Sequence, residues 1–266
     1  MTAILRENLT IPLHGSPLLY FLHLPRTGGT TINRMLKYTF GDRAIFHAAL
    51  LAEHGGEAGL SAALTGQAQG LYHRAILVTG HFGIAHPLVR RSPRPIAIAA
   101  VLRQPVERIV SLYDYIRGTP NHPEHAALSV VSLNQALDAV PGFAVHCQNA
   151  QLRTLFNTTE RDGVRMALRR HPYLLGRVEA LEGFAQRLLA PFGFALGGAL
   201  PRCNERPRFA DVVPACSQPD YTTALARLTA CNRAELAFFA ELPPIYSNLP
   251  GVARSMPFKA EWKHPA

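Results

Sequence analysis

The run Leu18–Thr31, LLYFLHLPRTGGTT, constrains this chain more than any other stretch. An apolar segment, Leu18–Leu24, breaks at Pro25 into Arg26, Thr27, Gly28, Gly29, Thr30 and Thr31. A helical pattern over Thr31–Phe40 follows and stops at Gly41. That order predicts a buried strand, a tight loop and a helix N-terminus. Two glycines let the backbone approach an anion closely, and unpaired N–H groups with the helix dipole favour negative charge there. Arg26 adds a cation and the threonines add hydroxyl donors. An ordinary glycine-rich turn would leave the basic and hydroxyl residues without a reason, so the layout predicts a phosphorylated ligand.

The remaining pattern alternates. Ala75–Thr79 reads as a second short strand ending at Gly80-His81, Ile96–Leu102 as a third and Tyr173–Val178 as a fourth. Pro105 opens a helix running to about Arg117, with Gly118 and Pro120 as stops. Residues 129–140, 143–156, 161–170, Leu181–Ala190 and Thr222–Glu241 read as helices. Residues 42–74 read as a short helix and loops, and 201–215 as a loop rich in Pro, Arg and Asn. The expectation is one α/β domain over residues 1–266, three layers with a central mostly parallel sheet flanked by helices. Residues 1–16 are expected as an irregular lead-in and 246–266 as an irregular tail. In such sheets ligands bind at the carboxyl ends of the strands, where the glycine loop, His81 and Arg103 all fall.

Charge narrows the partners. Of 27 basic residues only Lys37, Lys259 and Lys263 are lysines, and the net charge is +9. Arginine grips phosphate, sulfate and carboxylate in a bidentate way that lysine cannot, although base composition also enriches Arg, Ala and Gly. Cys147, Cys203, Cys216 and Cys231 show no C-x-x-C pair and no zinc-finger spacing to His, so reduced thiols and a cytoplasmic setting are expected. No apolar run reaches the roughly 18–20 residues that span a bilayer. No secretory leader is apparent.

A second segment, Leu102–Tyr115 (LRQPVERIVSLYDY), carries Arg103 at a strand end and Ser111 eight residues later, about two helical turns in. Both can reach one phosphate at the helix mouth. Arg108 lies on the same helix, whose apolar face is Val106, Ile109, Val110 and Tyr113. Taken alone, this reads better as an amphipathic helix whose arginines are solvated or pair with Glu107 and Asp114. A P-loop of the NTPase type would need G-x-x-x-x-G-K-[ST], and Leu18–Thr31 holds neither that lysine nor an acidic residue to help hold a metal.

Together the two segments resemble the cofactor motifs of sulfotransferases that use 3′-phosphoadenosine 5′-phosphosulfate (PAPS). The first is similar to that family's 5′-phosphosulfate loop, P-K-T-G-G-T-T. The second is similar to its 3′-phosphate motif, R-x-P-x-x-R-x-x-S-x-Y, met by Arg103, Pro105, Arg108, Ser111 and Tyr113. The heparan sulfate 2-O- and 6-O-sulfotransferase-like branch is the nearest likeness. There a His-Gly-His segment lies between the motifs with its second His as the proposed base; His81 matches that His, and Thr79 stands in place of the first. Gln148-Asn149 and Tyr173–Glu182 resemble later parts of the family. The resemblance spans residues 18–245 and is concentrated in the two motifs.

The resemblance implies a P-loop-type fold and transfer of a sulfuryl group from PAPS to a hydroxyl of a glycan or other acceptor, without nucleic acid or metal. It implies that Arg26, Thr27, Gly28, Gly29, Thr30 and Thr31 hold the 5′ end, Arg103 and Ser111 the 3′-phosphate, and Arg206 (or Arg208) of a late basic loop closes over the nucleotide. His81 and Arg26 are the candidate catalytic residues. Arg26 replaces the family's lysine; it keeps the charge but is no compact proton donor. His23, His47, His73 and His86 compete with His81, and His23, read as lying inside the first strand, is expected to be a satisfied core group or a support for the site. Two other classes stay open: a P-loop nucleotide kinase or NTPase, and a non-catalytic arginine-rich module that binds nucleic acid or acidic glycan.

Overall fold

A computed structural model describes residues 17–63, 75–90, 92, 94–196, 198–200 and 213–249. Arg206, Arg208, Cys203, the lead-in 1–16 and the tail from 250 lie outside the described residues. The fold is α/β, with a six-stranded sheet in the order β2-β3-β1-β4-β5-β6. The strands are β1 Leu18–Leu22, β2 Ala44–Phe46, β3 Leu77–Gly80, β4 Ile96–Leu102, β5 Tyr173–Arg177 and β6 Ile245–Ser247. All neighbours are parallel except β5 and β6.

The central strands are apolar on both faces because both faces are covered. On β1, Leu18, Tyr20 and Leu22 join one core, with Ile98, Ala100 and Leu102 of β4 and Tyr173 and Leu175 of β5. Leu50, Leu152, Leu155, Val164, Phe238 and Phe239 from the flanking helices close over them. Leu19 and Phe21 point the other way, into a second core with Ile32 and Leu36 of helix Gly29–Phe40 and with Phe184 and Leu188 of helix Leu181–Leu189. A third cluster, built on Ile109, Leu112, Tyr113 and Ile116 of helix Pro105–Arg117, joins the surrounding short helices to helix Tyr221–Cys231.

Several elements depart from the expected ones. β2 falls inside 42–74, which the sequence pattern predicts as a short helix and loops. β6 covers the start of the expected irregular tail at 246. Three-residue strands carry no periodicity of their own; their register comes from Ala44–Phe46 beside Leu77–Thr79 and Ile245–Ser247 beside Leu174–Gly176. The last helix is two, Tyr221–Cys231 and Arg233–Glu241. Asn232 breaks it: the residue is fully buried, and its amide donates to Cys147 O and Leu228 O, each at 2.7 Å. The helical stretches expected over 129–140 and 143–156 resolve into Leu133–Ala139, Pro141–Ala144 and Ala150–Phe156. Ser132 starts the first through a capping box, and Asn149, at φ 47°, starts the last.

Candidate functional site

β3, β1 and β4 are side by side, and Leu22 is level with Gly80 on one side and Ala100 on the other. Three loops therefore leave one edge of the sheet together: Pro25–Gly28 after β1, His81 after β3 and Arg103 after β4. This juxtaposition, not spacing along the chain, brings the sequence motifs into one place.

Gly28, at φ 85°, is the turn residue before helix Gly29–Phe40, and no side chain caps that helix. Its first N–H groups therefore face the loop mouth with no side-chain acceptor. Gly29 is required for a second reason besides anion approach. A Cβ there would lie 1.9 Å from Cδ2 and 2.4 Å from Nε2 of His23. The threonines divide. Thr27 is buried and its hydroxyl donates to Leu24 O at 2.9 Å, so the expected ligand contact of that side chain is spent on the loop itself. Thr31 is also buried, while Thr30 is exposed at the loop mouth.

Arg26 is held by the second motif. Its Nε donates to Ser111 Oγ at 3.2 Å, and its guanidinium lies 4.5 Å from the centre of the Tyr115 ring. Contacts of that kind are worth about 0.5–2 kcal/mol. They offset the left-handed backbone at φ 66°, which costs an L side chain about 1–2 kcal/mol. Burial lowers the proton affinity of the Arg26 guanidinium; Tyr115 opposes that shift, and Arg103 adds to it by charge repulsion. Arg26, Arg103, Ser111 and Tyr115 line one cavity of about 510 Å³, which Asp114 and Tyr221 also border.

Arg103 is fixed through its backbone. Its N–H donates to Gln151 Oε1 at 3.1 Å, and Gln151 Nε2 donates back to Arg103 O at 2.9 Å. The fully buried Glu235 accepts from both the backbone and side-chain nitrogens of Gln151. Among the described residues the Arg103 side chain makes only an i,i+4 contact with the exposed Glu107, at 3.5 Å. Such surface pairs are weak, so the guanidinium is readily turned to a phosphate. Gln104 accepts from Glu107 N–H at 2.7 Å and, with Pro105, starts the helix.

Arg108, the second basic position of the motif, does not line the cavity. It is 1% exposed and donates to His146 O at 2.6 Å. Burial lowers its proton affinity, while Glu235 and Cys147 favour the charged form. Its hydrogen bond ties helix Pro105–Arg117 to the backbone at His146.

His81 is exposed, and its Nδ1 is 2.7 Å from the backbone oxygen of His23. An oxygen there accepts only, so Nδ1 carries the proton and Nε2 is left as a base. The rings of His81 and His23 are 4.5 Å apart. His23 is one residue past β1, half-buried, with Nδ1 3.1 Å from Asn33 Nδ2. Burial, and to a lesser degree His81, pushes its pKa down to about 4. His47 is buried beside Gly80, where a Cβ would lie 2.4 Å from His47 Nδ1, and its pKa is likewise pushed to about 4 by burial, then by His86 and His81. His86 pairs with Glu57 at 2.8 Å and stacks on Phe82. His73 lies outside the described residues.

Among the described residues no group of three or more His, Cys, Asp or Glu side chains is placed to hold a metal, and no helix is long and apolar enough to cross a membrane. Cys147, Cys216 and Cys231 are free thiols. Tyr115, Asn33 and Gln151 were not singled out as site residues by the sequence pattern. Only the position of Tyr115, four residues after Ser111 on the same helix, hinted at its contact. No protein-family model matches the chain, and no curated protein matches it.

Proposed function

We propose that this chain is a sulfotransferase of P-loop type that moves a sulfuryl group from PAPS to a hydroxyl of a carbohydrate acceptor. One observation carries the reading: Arg26 of the glycine loop is hydrogen-bonded to Ser111 of the second motif, inside a cavity that Arg103 also lines. Two cations and an uncapped helix N-terminus suit a nucleotide with anionic groups at both ends.

PAPS supplies an activated sulfuryl group on a good leaving group, the 5′-phosphate. The residues position and neutralise, as in phosphoryl transfer. His81 Nε2 takes the acceptor hydroxyl proton as the new O–S bond forms; the old S–O bond breaks and its electron pair leaves on the 5′-phosphate. Arg26 and the N–H groups of Gly28, Gly29 and Thr30 hold the negative charge that develops there. Arg103 and Ser111 take the 3′-phosphate, the group that separates PAPS from ATP.

The test is calorimetry with adenosine 3′,5′-bisphosphate, ADP and ATP, each with and without magnesium. The reading expects tight, metal-independent binding of the bisphosphate. Magnesium-dependent preference for ATP would instead place the chain among nucleotide kinases or NTPases. Binding that is steeply salt-dependent and blind to the 3′-phosphate would point to an arginine-rich polyanion-binding module.

A further inference from the structure

Arg26 stands where the resembled motif has lysine, and a second polar side chain, His23, lies against the same loop. Arg26 is drawn toward Ser111 and Tyr115. On the other side of the loop, the Cδ2–Nε2 edge of His23 lies against Gly29, in the first turn of the uncapped helix. A chain of hydrogen bonds sets which nitrogen of His23 carries a proton. Thr79 Oγ1 donates to Asn33 Oδ1 at 2.7 Å, which leaves the Asn33 amide N–H to face His23 Nδ1 at 3.1 Å. An amide nitrogen only donates. His23 Nδ1 is therefore an acceptor, and the single proton of the neutral ring is on Nε2, the atom beside Gly29.

We propose that His23 is a ligand-binding residue of this site: its Nε2–H donates a hydrogen bond to the phosphosulfate oxygens held at the first turn of helix Gly29–Phe40, with Asn33 and Thr79 as its positioning residues. This rests on the sulfotransferase reading. It divides between two side chains the work of one lysine, with Arg26 giving charge and His23 a directed, uncharged donor. It also gives a role to Thr79, which anchors Asn33 from the position where the related pattern has a histidine. The burial that keeps His23 neutral preserves this arrangement near neutral pH. No proton is transferred at His23, so His81 remains the sole base.

Two measurements on the full chain test it. In a ¹⁵N-labelled sample, long-range imidazole spectra, assigned with His23→Gln, should show His23 unprotonated at Nδ1 and protonated at Nε2, with the Nε2 signal shifting when adenosine 3′,5′-bisphosphate is added. A proton on Nδ1 would overturn the proposal. In calorimetry, His23→Phe should weaken that bisphosphate at least about tenfold, while adenosine 3′-monophosphate binds as to the parent. His23→Gln, whose amide nitrogen can take the place of Nε2, should stay within about threefold. Equal affinity of His23→Phe and the parent would also overturn it; if that variant does not fold, the tautomer measurement decides. Should the parent prefer ADP to the bisphosphate, the sulfotransferase reading falls. The His23 comparison is then made on ADP, where the same loss is expected.

Discussion

His81 Nδ1 and the backbone oxygen of His23 are 2.7 Å apart. This contact binds the end of β3 to the end of β1 and leaves Nε2 of His81 facing outward. A side chain that is exposed yet fixed at one nitrogen suits a general base better than a packing group.

His81→Ala is therefore expected to lower kcat by about 10²–10⁴-fold at saturating PAPS. Its melting temperature should stay near that of the parent, because the ring is exposed. Steady-state kinetics beside a thermal melt check this, and turnover close to the parent's would remove His81 from the mechanism.

Arg103 has a clamped backbone and a loosely paired side chain. Arg103→Ala should raise the Kd for adenosine 3′,5′-bisphosphate by roughly tenfold or more, as for a lost hydrogen bond to a charged group. The Kd for adenosine 5′-monophosphate should barely move. Calorimetry with both ligands isolates the 3′-phosphate, and an equal loss on both would reassign Arg103 to the other end of the nucleotide.

Arg108 is expected to behave in the opposite way. Arg108→Met removes the buried hydrogen bond to His146 O and leaves that carbonyl without its charged donor, a loss of about 1–3 kcal/mol. Urea unfolding should show that loss. The folded variant should bind nucleotide within about threefold of the parent. Normal stability with lost affinity would mean that the motif arginine reaches the ligand after all.

His23 and His47 make stability sensitive to acid. Burial lowers both pKa values from 6.5 to about 4, so the unfolded chain binds more protons than the folded one in this interval. Their contribution is complete above about pH 6.5 and is lost as pH falls toward 4. Each should cost roughly 2 kcal/mol between about pH 7 and pH 5. Chemical denaturation at the two pH values measures the drop, and His47→Phe should shrink it. A pH-independent midpoint over this range would contradict the neutral, buried assignment.

Much of the fold was legible locally. β4 and helix Arg161–Arg170 match their expected bounds, and β1, β3, β5 and the two motif helices differ by two residues or fewer. Each is long enough to show its apolar period or is bounded by Gly or Pro. β2 and β6 were not legible, because three residues hold no period and their pairing is supplied by a neighbour. The break at Asn232 was hidden for a related reason. Asn is tolerated inside a helix pattern, and only its buried bonds to Cys147 and Leu228 show why the helix stops there.

The site divides along the same line. Residue types and the motif resemblance marked Arg26, Gly28, Gly29, Arg103, Ser111 and His81 as candidates, because anion binding and base catalysis would demand particular side chains at strand ends. They favoured Arg103 over Arg108, five positions on in the same segment, but gave Arg108 no place of its own. Burial of the Arg108 side chain, bonded to His146 O, supplies that place, and burial is a property of the packed helices. Nor could they show that Thr27 turns inward, that Arg26 leans on Tyr115, or that Gly29 is small because His23 lies against it. The sequence by itself determined the alternating α/β plan and the chemical groups at the strand ends, since both are written in local pattern and residue type. Only the tertiary structure decided which of those groups share a cavity and which way each one points, because those follow from strand order and from contacts between residues far apart in the chain.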